Sequence, residues 1–170
     1  MRSLLAKLQA EYPQLRFTAG EQFCWSPETA EIFYIKNARG QKAQWSLLHE
    51  TGHALLEHTT YQADFELLRL EVEAWHEAQK LAKTLDITID EDHIQDCLDT
   101  YRDWLYRRSI CPDCHTKCLQ QDNQAAYRCF NCHTVWKVSA SRFCRSYRRA
   151  LKPARTPTAV FNLKIDPHLY

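Results

Sequence analysis

The chain has 170 residues, a formal net charge of +1 and 45% hydrophobic residues. That is enough apolar material for the core of one ordinary domain, or of a small domain with an added module, and the bulk charge singles out no partner. No stretch resembles a secretory signal and no apolar run reaches the length of a membrane span, so a soluble, cytoplasmic protein without a membrane partner is expected.

Residues 2–11 carry Leu4, Leu5 and Leu8 at helical spacing and stop near Pro13, which predicts a short helix. Residues 15–18 and 22–25 read as strands, Ser26-Pro27-Glu28-Thr29 as a turn, and residues 31–35, rich in β-branched and aromatic side chains, as a third strand. The expectation is a small antiparallel sheet. Residues 32–35 are expected to be its edge strand beside the next helix, open to β-pairing with an extended segment.

After a loop at Asn37 to Gly40, residues 42–58 read as a helix containing His49-Glu50-Thr51-Gly52-His53. Histidines four apart lie on one helical face, where both imidazoles can reach one metal ion, with Glu50 beside the first. Zinc suits such a site. Two histidines and a carboxylate leave a fourth position for water, whose pKa the metal lowers, and Glu50 is placed to take its proton. Trp45, Leu47, Leu48, Ala54, Leu55 and Leu56 would bury this helix on several sides.

A third ligand is sought on the next helix, residues 64–85, which offers Glu71, Glu73, His76 and Glu77. Glu71 shares its stripe with Ala74, Ala78, Leu81 and Leu85, a place where a carboxylate is costly unless paired or bound to metal. Glu73 lies with Glu77, Lys80 and Thr84, and His76 lies near Arg69, Lys80 and Lys83, so Glu71 is selected. Ala74 and Ala78 would let the two helices approach closely. A further helix is expected to open at a Thr88/Glu91 capping box. It would bury Ile94, Leu98, Tyr101 and Leu105, and end favourably at Arg107 and Arg108.

Four of the eight cysteines fall in Cys111-Pro112-Asp113-Cys114 and Cys129-Phe130-Asn131-Cys132, fourteen residues apart, which is zinc-ribbon spacing. A closed four-sulfur shell leaves no position for water, so that zinc would be structural and would supply much of the module's folding energy. A hairpin tip is expected across residues 120–125, with strands at 126–128 and 134–138. Cys24, Cys97, Cys118 and Cys144 read as ordinary thiols. Residues 137–155 hold seven basic and no acidic residues. Arg142, Arg145, Arg148, Arg149, Lys152 and Arg155, interleaved with Phe143 and Tyr147, suit nucleic acid, although ribbons serve equally to dock proteins. The last twenty residues read as an extended tail that could add a strand or lie over the cleft.

The helical motif His49-Glu50-Thr51-Gly52-His53-Ala54-Leu55-Leu56, followed by Glu71-Val72-Glu73-Ala74-Trp75-His76-Glu77-Ala78, resembles the ImmA/IrrE family of zinc metallopeptidases over roughly residues 15–90. The family's glutamate ligand falls on Glu71, the residue that the stripe selects. Trp75 stands where the family has Asn, Glu77 where it has an aromatic, and the usual Leu-Leu-Met-Pro ending is missing. The resemblance implies a protein substrate of the regulatory kind, such as a transcriptional repressor. The expected architecture is therefore α+β, with a zincin-like peptidase domain at 1–108, a zinc ribbon at 109–140, and a basic segment and tail at 141–170. Two rivals remain: a binding protein with an idle metal site, and a SprT-like protease that would use a third histidine. Tyr61 and Tyr101 are the candidates for stabilising the oxyanion.

Overall fold

Leu4 and Leu8 sit on the inner face of α1 (Arg2–Glu11) and are buried, while the charged Arg2, Lys7 and Glu11 are exposed. The structure is a computed structural model that describes residues 1–119, 121–123, 125–139 and 147–151. It is a mixed α+β chain with four helices and two small sheets among the described residues. None of these helices is long and apolar enough to cross a membrane.

Strands β1 (Arg16–Gly20), β2 (Cys24–Ser26) and β3 (Glu31–Ile35) form the first sheet in the order β1-β3-β2. The expected antiparallel sheet is in fact mixed: β2 pairs antiparallel with β3, but β1 pairs parallel with it. The most apolar strand takes the centre, where Ile32 is fully buried, and this separates the antiparallel neighbours β1 and β2. Residues 32–35 are therefore not an edge. The edge beside the motif helix is β2, three residues long, which is too short to stand out by alternation.

Helix α2 (Gln41–Leu55) starts at Gly40, whose φ of 86° is a left-handed backbone that suits glycine. It buries Trp45, Leu47, Leu48 and Ala54 in a core shared with α1, the sheet, α3 (Asp64–Thr84) and α4 (Glu91–Ser109). Helices α2 and α3 approach very closely at Gly52, where an added Cβ would lie 2.5 Å from the Ala74 carbonyl oxygen. Helix α4 begins later than the Thr88/Glu91 box implied. Asp90 caps it by accepting from the Asp92 N–H at 3.1 Å, while Glu91 accepts from Gln79 and Gln95. Its buried stripe starts with Ile94 and Leu98 as expected, then continues through Trp104 and Arg108, leaving Tyr101 and Leu105 half-buried.

The second sheet joins β4 (Gln121–Asn123), β5 (Ala126–Arg128), β6 (Val135–Val138) and β7 (Arg148–Ala150) in sequence order. Residues 121–123, expected in a hairpin tip, are the strand β4, and Arg148 to Ala150 of the basic segment extend the sheet. Cys111, Cys118, Tyr127, Cys129, Trp136 and Val138 form its small core. This module is tied to the helices by polar groups that are themselves buried. Arg108 Nε donates to Asp64 Oδ2 at 2.5 Å, Tyr127 donates to the same oxygen at 2.6 Å, and Arg108 also donates to the Ser139 carbonyl. Trp136 Nε1 donates to the Arg108 carbonyl at 2.9 Å, so apolar and charged anchors meet at one junction. The expectations for Arg142, Phe143 and Arg145, for Cys144, and for a tail at residues 152–170 that adds a strand or covers the cleft lie outside the described residues.

Candidate metal centre

On α2, His49 and His53 are one turn apart, and α3 brings Glu71 to face both of them. Their Nε2 atoms are 3.2 Å apart, His49 Nε2 lies 3.2 Å from Glu71 Oε2, and His53 Nε2 lies 3.7 Å from Glu71 Oε1. Donor atoms bonded at about 2.0–2.1 Å to one tetrahedral zinc would be about 3.3 Å apart, so the spacing fits an ion of that size. The three groups can hold a metal ion. The close approach depends on small residues: Gly52 packs on the Ala74 backbone, one turn beyond Glu71. Of the other α3 candidates, His76 is exposed, and it, Glu73 and Glu77 are outside the cluster.

Burial would raise the Glu71 carboxyl, but hydrogen bonds to His49 and His53, and their charge, hold it far below the usual carboxylate range. Its side chain is only 8% exposed. His49 stacks on Trp75, with ring centroids 4.3 Å apart, and its Nδ1 is buried without a hydrogen-bond partner among the described residues. His53 Nδ1 lies 2.9 Å from His58 Nδ1, and His58 Nε2 lies 3.4 Å from Glu73 Oε2. Burial and the neighbouring His53 lower the pKa of His58 and favour its neutral form.

Glu50 is half-buried beside the cluster, and its Oε2 accepts the Trp25 backbone N–H at 2.7 Å. This bond ties edge strand β2 to the motif helix. Above lies a cleft of about 730 Å³ whose walls include Cys24, Trp25, His49, Glu50, His53 and Glu71, with Tyr61, His93 and Tyr101 farther along. Both tyrosines singled out from the sequence therefore face the same space. The arrangement can bind an ion, admit water and a polymer segment, and present a carboxylate held by one oxygen.

Cys111, Cys114, Cys129 and Cys132 form a second group able to hold a metal ion. Cys111 and Cys132 sulfurs are 3.5 Å apart, as are those of Cys114 and Cys129, near the roughly 3.8 Å expected around one tetrahedral zinc with bonds of about 2.3 Å. The two knuckles repeat one backbone design. The N–H of Cys111 donates to Thr116 O and that of Cys129 to Thr134 O, while His115 and His133 both adopt φ of 63°. Burial pushes the Cys111 thiol up to about 12, while hydrogen bonding with the Thr116 hydroxyl and backbone pulls Cys114 down to about 5. His115 is exposed and Cys118 is buried in the module's core, both outside the four-sulfur group.

Periodicity pointed to Glu71 but passed over His58, Glu73 and Trp25 as neighbours of the site. His58 comes close only because α2 ends at Leu55 and Glu57 turns the chain with φ of 52°. The one available signal was a third motif-region histidine, five residues beyond His53. Comparisons with family models, curated proteins and solved structures return no match for this chain.

Proposed function

We propose that the chain is a zinc-dependent endopeptidase with a zincin-like domain akin to the ImmA/IrrE family, acting on a regulatory protein such as a transcriptional repressor. The observation that carries this reading is the convergence of His49, His53 and Glu71 within 4.8 Å of one another, with Glu50 beside them in an open cleft. Zinc held there would activate water and polarise a peptide carbonyl. Glu50 takes the proton of that water and returns it to the leaving amine. The Trp25 N–H holds one Glu50 oxygen and leaves the other as proton acceptor. An extended peptide would lie along β2, the edge strand of the cleft. The SprT-like alternative is disfavoured by the outward position of His76.

The test is zinc-loaded chain mixed with a peptide library from an unfolded proteome, with new N-termini read by mass spectrometry. Wild type is expected to generate them, and Glu50→Gln to lose about 10²- to 10⁴-fold in rate while keeping its metal. A zinc-loaded wild type that yields no new N-termini would contradict the peptidase reading and favour a binding protein. One observation gives that second reading some substance: Lys137 and Arg149, both exposed, are directly opposite on β6 and β7. Like charges so placed repel, and a nucleic-acid phosphate would relieve them.

A further inference from the structure

We propose that His58 is the positioning residue for the metal ligand His53, the middle member of a chain that runs from the ion through His53 and His58 to Glu73. The inference rests on reading His49, His53 and Glu71 as a metal site, and it assigns roles to two residues outside that triad.

Proton accounting carries the argument. A neutral imidazole has one N–H and one lone pair. His53 Nε2 faces the point shared with His49 and Glu71, so its lone pair belongs there and its proton sits on Nδ1. Nδ1 lies 2.9 Å from His58 Nδ1, which must then accept. The proton of His58 therefore sits on Nε2, 3.4 Å from Glu73 Oε2. Each bond settles the next, and the sequence ends on a carboxylate. Partners of this kind fix the tautomer and ring plane of a ligand and make it a better donor to the metal.

The chain's geometry does not come from helical spacing. Residues five apart on a regular helix are about 140° apart around the axis, so an uninterrupted α2 would turn His58 away from His53. Instead the left-handed Glu57 brings the chain back, and the His58 N–H donates to the His53 carbonyl at 3.0 Å. The His58 carbonyl then accepts Trp25 Nε1 at 2.7 Å, and its side chain is only 8% exposed. The His58 main chain is thus held by α2 and β2, and its imidazole by His53 and by Glu73 of α3. His49 is held differently: its Nδ1 has no hydrogen-bond partner among the described residues, and the Trp75 ring stacks on its plane. Orientation by hydrogen bonding is thus concentrated on His53.

The test measures zinc affinity by chelator competition, together with the melting temperature of the protein stripped of the ion at His49, His53 and Glu71 but retaining the ribbon ion. His58→Ala is expected to weaken zinc at the histidine site by about 10- to 100-fold, leaving the cysteine site unchanged. His58→Gln, whose amide oxygen can accept from His53 Nδ1, should recover part of that loss. Glu73→Ala, at the half-exposed end of the chain, should have a smaller effect of the same sign. Zinc affinity within about twofold of wild type in a folded His58→Ala protein would overturn the inference. So would a loss of affinity that follows a lowered melting temperature and is not recovered by His58→Gln. Failure of the underlying metal-site reading looks different: wild type itself would bind zinc only through the cysteines.

Discussion

Gly52 occupies a position where only hydrogen fits, because a Cβ there would meet the Ala74 carbonyl oxygen at 2.5 Å, and neither helix backbone can yield locally. Gly52→Ala should push α2 and α3 apart, cost about 1–3 kcal/mol in urea unfolding, and weaken zinc at His49, His53 and Glu71. Unchanged stability with unchanged affinity would show that the contact is dispensable. Glu71 illustrates what a single position can reveal. A carboxylate on a stripe with Ala74, Ala78 and Leu81 is costly to bury alone, and the structure places it against two imidazoles. Glu71→Ala should release the histidine-site metal, whereas His76→Ala, on the exposed side of α3, should retain it, as metal analysis would show.

At the scale of elements, periodicity made the helices legible, since long amphipathic stretches such as Asp64–Thr84 repeat their signal over several turns. The sheet was less legible. Strand propensity marks β3 as apolar but not as central, and the order β1-β3-β2 is settled by pairings that no local pattern contains. Arg108 is the sharpest case. It lies in the last turn of α4 as its sequence position implies, but it is also buried in an ion pair with Asp64, 44 residues away, which only tertiary packing could disclose. Arg108→Met would leave Asp64 and Tyr127 without their cation and should destabilise by about 3–5 kcal/mol in urea unfolding. The paired change Arg108→Met with Asp64→Leu should recover much of that loss, because it removes the stranded charge as well.

For the molecule as a whole, one helix, α3, connects the cysteine module to the histidine site. Asp64, which bonds to Arg108 and Tyr127 at the junction, also begins the helix on which Glu71 lies seven residues on. Replacing Cys111 and Cys129 with serine should remove one metal, lower the melting temperature and loosen zinc at the distant triad; an unaltered triad affinity would show the two parts to be independent. The two groups that could hold a metal ion were legible because the spacing of their residues is local within each helix or knuckle. The junction that joins their two modules was not, because it is made by residues far apart in sequence. The measurement that bears most directly on the whole account is zinc content with X-ray absorption at the metal, for wild type and Glu71→Ala. Wild type should hold two zinc ions, one in a sulfur shell and one in a nitrogen and oxygen shell, and Glu71→Ala should keep only the sulfur-bound ion. A wild type with a single zinc bound entirely by sulfur would contradict it.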